Sequence, residues 1–388
     1  MRRRTLALIT ALVAAVVLLS VAAVVLLQAP GPAETKPPAP VETKPPAPRV
    51  VTVVDYANRT VEVPANVSRV VAIGPGVLRL VAYLGALDKI VGVEDAEKSW
   101  SPLGRDYAMA YGDAFKNLPV VGPGGPRNPP NPELLRSLKP DVVLMSRTYV
   151  DLYDPDRLSQ EVGAPVVVID YGVAGYLNVT EFKRAITLLG RILGREARAQ
   201  ELAKYIDSVV DDLAQRVRAV QATPSVYVGA VSYKGAQPFT GTQGMFPPLL
   251  LLKTRSIVDE LGKRGFVNVD FEFILKRQPE YIFIDLNNLK TVLDDYSKDP
   301  AKYCALKAFK EGRVYALLPF NYYHTNVATA LADAYFMGKV LYPEQFKDVD
   351  PASKADEIYR VFLGKPLYEE FVKGFGRGFG PLNDLFKC

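Results

Sequence analysis

Histidine is nearly absent from this chain: 388 residues hold one, His324. A His-based catalytic triad therefore has a single position on which to stand, and a site for bare zinc or manganese, which usually takes two or three histidines with carboxylates, has too few donors. Cysteine is almost as scarce. Cys304 and Cys388 form no CxxC, which excludes a zinc or iron–sulfur framework. A disulfide between them is open in an oxidising compartment, although the mobility common at a chain's last residue argues against it. GxSxG, P-loop and HExxH motifs are all missing. The paired acids Asp294 and Asp295 sit in a polar stretch and read as solvated, so an anchored cell-surface enzyme is the weaker functional class.

A surplus of charge is missing too. The chain carries 47 basic and 42 acidic residues. Six of the basic and two of the acidic residues fall within residues 1–49, leaving 41 basic against 40 acidic in the rest. A near-neutral body has no electrostatic footprint for nucleic acid. The tail "GFGRGFG" has glycine spacing but follows no strand and opens no helix, so it is not a nucleotide site.

What is present begins with an address. Three arginines, Arg2 to Arg4, precede an uncharged run from Leu6 to Leu27. As a helix this run would be roughly 33 Å long, enough to cross a bilayer core of about 30 Å. Its length favours an uncleaved anchor over a cleaved signal, and the arginines place the body outside the cytoplasm. No cysteine follows it for lipid attachment. Next, "AETKPPAP" and "VETKPPAP" are consecutive near-identical octads at 33–48. Proline at this density favours solvated polyproline II, a semi-rigid stalk. The expected organisation is an anchor or signal over 1–28, a stalk over 29–49, an α/β lobe over 50–175, a connecting helix over 176–222 and a second α/β lobe over 223–388.

The body alternates strand-like and helix-like segments. "VVTVVDYANRTVEVP" reads as a hairpin turning near Asn58. "RVVAIGPG", "KIVGVE", "DVVLMS" and "PVVVID" are short apolar runs of the kind that strands buried on both faces show. After a long helical stretch from Asn178 to Gln221, "SVYVGAVSYK", "EYIFIDLN" and "RVYALLPFNYY" repeat the pattern. Such alternation predicts mostly parallel sheets with helices on both faces, and ligands bind beyond the carboxyl ends of such strands. Two such lobes facing each other share a cleft.

That rule selects candidates. Gly76 and Arg79 follow the first strand; Arg147 and Tyr149 follow "DVVLMS"; Tyr233 and Lys234 follow "YVGAVS"; Asn287 and Asn288 follow "YIFIDL". Trp100 lies in the loop "EKSWSPLG", and Gln243, Met245 and Phe246 lie in an unusual polar-to-apolar segment. The sole histidine sits in "PFNYYHTN", after a strand and before a helix, beside Tyr322 and Tyr323. Tyrosinate is a hard donor suited to ferric ion and imidazole can fill a remaining position, so Tyr322 and His324 are the candidate metal ligands. The competing reading makes His324 a helix cap or a core hydrogen-bonding residue.

The order of these segments, from "DYANRTVEVPANVSRVVAIGPG" through "YLGALDKIVGVE", "NPELLRSLKPDVVL", the long helix and "FEFILKRQPEYIFI" to "LKAFKEGRVYALL", resembles the substrate-binding proteins of ABC importers for iron–siderophore complexes, haem and cobalamin. The resemblance spans roughly residues 51–371. It implies two α/β lobes of the class III type joined by one long rigid helix, a cargo cleft between them that closes only slightly, and no intrinsic cofactor. The cargo it implies is an iron complex, with haem, cobalamin or an oxyanion as alternatives. The implied partners are a membrane permease and, through it, an ATPase, with the receptor itself a monomer. It also implies that one glutamate per lobe docks on permease arginines. Glu133 and Glu272 open two short helices in matching contexts, "NPELLRSLKP" and "DFEFILKRQP", and carry that role across. Their acidity also suits helix N-termini. Where many relatives have a glutamate in the first helix, this chain has Arg79, expected to face the cleft as a cation.

Overall fold

The computed structural model describes residues 49–388. The segments expected as an anchor or signal and as a stalk, up to residue 48, lie outside the described residues. Among the described residues no helix is long and apolar enough to cross a membrane.

The body opens with the hairpin. β1 (Val50–Val54) pairs antiparallel with β2 (Thr60–Pro64), and Asn58 takes φ 58° in the turn. Asp55 holds that turn by accepting from the Ala57 and Arg59 amides and from the Arg59 guanidinium. β3 (Val70–Ile73), β4 (Ile90–Gly92), β5 (Val142–Ser146) and β6 (Val166–Ile169) make the first sheet, all parallel, in the order β4-β3-β5-β6. β3, β5 and β6 are buried at every position, as their unbroken apolar runs require.

The second lobe repeats the scheme. β7 (Val226–Gly229) precedes a small antiparallel pair, β8 (Gly241–Gly244) with β9 (Gly265–Asn268). β10 (Tyr281–Asp285) lies parallel between β7 and β11 (Val314–Leu317), and β12 (Gly380–Pro381) closes the edge antiparallel. Gln243, on β8, is buried and donates to the Gly175 carbonyl of the first lobe at 2.5 Å.

The expected single connecting helix is two. Val179–Leu193 ends at Gly194, which takes φ 65° as a left-handed cap that a side chain would strain, and Glu196–Arg216 starts afresh. The first helix packs on β1 and on the helix Val77–Tyr83. The second, 21 residues long, reaches from there to the second lobe. Near its start Arg198 donates to the Tyr83 carbonyl, and at its end Arg216 pairs with Asp348 at 2.7 Å.

The two cysteines are bonded, Cys304 to Cys388, so the chain's last residue is fastened to the second lobe. Tyr296 supports this closure: its hydroxyl donates to the Lys387 carbonyl and accepts from the Lys387 amide.

Candidate functional site

A cleft of about 1230 Å³ lies where the carboxyl ends of both sheets meet. Pro75 enters after β3, Arg147 and Thr148 after β5, and Asp170 and Gly172 after β6. Ser232 to Lys234 follow β7, Asn287 and Asn288 follow β10, and Asn321 to His324 follow β11. Six of the seven parallel strands thus deliver their following loops to one space.

Nine of the predicted residues line this cleft: Trp100, Arg147, Tyr233, Lys234, Asn287, Asn288, Tyr322, Tyr323 and His324. Two aromatic walls stand out. Trp100 and Tyr322 lie nearly parallel, 13° apart with centroids at 6.5 Å, and Tyr233 stacks on Phe266 at 4.6 Å with the Lys234 ammonium 5.1 Å from the Tyr233 ring centroid. Arg127, Arg147 and Lys234 bring positive charge to the lining; Asp151 and Asp170 bring negative. Among the described residues the three cations form no ion pair, so their charge is free for a ligand.

Three predicted residues lie behind the lining. Arg79 is a correction: it is fully buried and does not line the cleft. Its Nε pairs with Asp106 at 2.9 Å, and its remaining nitrogens donate to the Tyr171 hydroxyl and to the carbonyls of Tyr322 (2.8 Å) and Tyr323 (3.2 Å). A buried guanidinium needs a partner for each N–H, and the cleft loop supplies two of them. Tyr149 is also buried; its hydroxyl lies 2.7 Å from Glu94 and 2.9 Å from the Gly125 carbonyl. Gly76 caps the helix Val77–Tyr83 with φ 84°, and a Cβ there would lie 2.4 Å from the Tyr171 hydroxyl and 2.9 Å from the His324 Cβ. Only glycine lets the first lobe meet the histidine loop this closely.

The loop Asn321–Asn326 leaves the second lobe and roots itself in the first. The Tyr323 hydroxyl donates to Glu94 at 2.8 Å and accepts from the Gly125 amide at 2.9 Å. Thr325 accepts from the Gly175 amide, and Asn326 donates to the Gly104 carbonyl, both at 2.9 Å. Tyr323 and His324 both hold positive φ, 52° and 81°. Strain of this kind persists only where the surroundings dictate it. His324 is 6% exposed; its ring packs on Tyr171 at 4.1 Å and its Nδ1 accepts from the Thr325 amide. Burial and the nearby Arg79 charge push its pKa down to about 3, so the imidazole is neutral.

Glu94 was not legible as a site residue. It follows β4, is 3% exposed, and accepts from the Gly74 amide as well as from the two tyrosines. Desolvation lifts its pKa to about 7 against those hydrogen bonds. Arg127, Asp151, Asp170, Ser232 and Asn321 were missed as well. Asp170 and Asn321 come directly after strand-ending runs, and the rule that selected Arg147 would have found them. Of the other segment named, Met245 and Phe246 do not line the cleft; Phe246 is a core residue beside Phe320.

Glu133 and Glu272 lie on separate lobes near the starts of the exposed helices Pro132–Ser137 and Phe271–Arg277, and both are exposed. Asn131 caps the first of these helices.

Residues 70–319 match the periplasmic binding protein family, a span covering every parallel strand and both connecting helices. The chain belongs to that family. As a periplasmic binding protein it is the substrate-binding component of an ABC importer. It is 27% identical over 338 residues to the molybdate-binding protein MolA of Haemophilus influenzae, covering 81% of this chain and 90% of MolA. MolA solved with molybdate superposes with a TM-score of 0.62 at 22% identity, over 81% of this chain and 98% of that one. The TroA-like FepB of Veillonella parvula gives 0.63 at 21% identity, over 81% and 97%. The ferric-anguibactin-binding protein FatB of Vibrio anguillarum is 26% identical over 184 residues, 46% of this chain and 55% of FatB. These relatives are binding proteins, and the structural matches establish the two-lobed fold.

Proposed function

We propose that this binding protein captures a bulky, chelated ferric complex outside the cytoplasm and hands it to a permease, without catalysing a reaction. The observation that carries the reading is the size of the cleft, about 1230 Å³. A tetraoxo anion fills on the order of 100 Å³ if it displaces a few waters of about 30 Å³ each. It would leave most of this space to solvent, whereas a chelate of drug-like size or larger would bury most of its surface. The lining suits such a cargo: aromatic faces for its organic shell, amides and hydroxyls for its oxygens, and Arg127, Arg147 and Lys234 for net negative charge. Among the described residues no group of three His, Cys, Asp or Glu side chains gathers around a point, so a bare ion would lack a donor set. If the ferric ion takes a protein donor, the candidates are the Tyr322 phenolate and Nε2 of the neutral His324, both in the cleft lining.

The lobes are joined through Tyr323 to Glu94, Gln243 to Gly175 and Asn326 to Gly104. Cargo on this reading enters a preformed cleft that closes little. Glu133 and Glu272 then present one carboxylate per lobe to permease arginines.

MolA, matched over nine-tenths of its own length, favours a second reading in which the cargo is an oxyanion such as molybdate. Calorimetry with a panel of ferric siderophores and with molybdate separates the two. Arg147→Ala and Lys234→Ala are each expected to weaken an anionic ferric complex about tenfold, as loss of one charge-assisted contact implies.

A further inference from the structure

Three Asn-x-Ser/Thr triplets occur in the body: Asn58-Arg59-Thr60, Asn66-Val67-Ser68 and Asn178-Val179-Thr180. In an exported chain this triplet is the acceptor pattern for N-linked glycans. The disulfide and the family fit a body outside the cytoplasm, the side of the membrane on which such transfer occurs. All three lie in the first lobe, and the fold treats them differently.

Asn178 is half-buried, and its side chain caps the helix Val179–Leu193 by accepting from the Glu181 amide at 3.1 Å. A glycan there would stand beside Gly172, which lines the cleft. Asn66 is exposed, but the Ser68 amide and hydroxyl are both held by Asp141, at 2.8 and 3.0 Å. Asn58 differs from both. It is exposed at the tip of the β1–β2 turn, and among the described residues its amide makes no side-chain hydrogen bond. Thr60, the first residue of β2, is exposed with its hydroxyl free. The hairpin sits on the outer edge of the first sheet, where Asp55 accepts from the Val168 amide of β6, and contributes nothing to the cleft lining. A glycan at Asn58 would stand on this outer edge, away from the cleft lining.

We infer that Asn58 is an N-glycan acceptor and that Asn178 is not. The donor is a polyprenyl-phosphate-linked or polyprenyl-pyrophosphate-linked oligosaccharide, presented by a membrane transferase on the exported side. The Asn58 Nδ2 attacks the sugar anomeric carbon. The C1–O bond to the lipid phosphate breaks as the C1–N bond forms, Nδ2 gives up one proton, and the lipid phosphate leaves with the bonding pair. No electrons are exchanged with a redox partner.

The test is glycopeptide mapping of the full chain isolated from its native membranes. The expected result is a sugar-bearing peptide spanning Asn58, beside an unmodified peptide spanning Asn178. Thr60→Val keeps Asn58, the turn and the β-branched shape, yet destroys the triplet, and should abolish the glycopeptide. A fully unmodified Asn58 peptide overturns the inference. So does a glycan at Asn178, or one at Asn58 that survives Thr60→Val.

Discussion

The Tyr323 hydroxyl, carried by the second lobe, donates at 2.8 Å to Glu94, buried in the first. The same carboxylate takes the Gly74 amide on that oxygen and the Tyr149 hydroxyl on the other. Two lobes separated by a cleft are thus stitched at its floor by one acid whose pKa is raised to about 7 by burial.

The burial of Glu94, which outweighs these hydrogen bonds, gives a pH dependence of definite sign. Because the folded pKa lies above the unfolded value of 4.5, the native state binds the extra proton between the two. The contribution is fully present below about pH 4.5 and is lost as pH rises through about 7, a change of about 3 kcal/mol. Asp285, raised to about 6, adds a slope of the same sign. Glu94→Gln should remove Glu94's share. Its Oε1 can accept from Gly74 and Tyr323 while its Nε2 donates to Tyr149, whose proton turns to the Gly125 carbonyl. Urea unfolding between pH 4.5 and 8 measures this; an undiminished slope in the variant would remove Glu94 as its source.

Arg79→Met should destabilise the protein by roughly 3–5 kcal/mol, because Asp106 is left charged and buried. Adding Asp106→Asn should recover part of that loss. Cargo affinity should stay below wild type in both variants, since the Tyr322 and Tyr323 carbonyls lose their anchor. Paired unfolding and binding measurements separate the two effects.

These residues show where sequence reading stops. The strands were legible because fully buried parallel strands are written as unbroken apolar runs, as in "RVVAI" and "DVVLM". Gly194 lies within one continuous helical pattern in the sequence, and the left-handed cap that starts a second helix there is decided by packing. The fate of Arg79 depends on Asp106, 27 residues away, and on a loop more than 240 residues away. Glu94 sits in "VGVEDAEK", which reads as a solvated acidic turn; only the fold brings Tyr149 and Tyr323 to it.

Gly76→Ala should cost roughly 1–3 kcal/mol, from the φ of 84° and the collision with Tyr171. Relief requires Tyr171 and His324 to move, so cargo affinity should fall with stability. Thermal unfolding and calorimetry on one preparation would show both changes; a loss of stability alone would uncouple Gly76 from the cleft.

Reducing the Cys304–Cys388 bond should lower stability by about 2–4 kcal/mol. Neither cysteine lines the cleft, so affinity for cargo should not change. Titrating cargo with and without reductant distinguishes a structural clasp from a contribution to the site.

Charge reversal at Glu133 or Glu272 should leave cargo binding intact and stop import by the intact transporter. Uptake of labelled ferric complex by cells carrying each variant measures this; unimpaired import would remove both glutamates from docking.

The most direct test of the central claim is calorimetric titration of the purified full chain with a ferric siderophore panel and, separately, with molybdate. The account predicts saturable one-to-one binding of at least one ferric complex, weakened by Tyr322→Phe and by Arg147→Ala, with molybdate unable to displace it. Tight binding of molybdate and none of any ferric complex would contradict it.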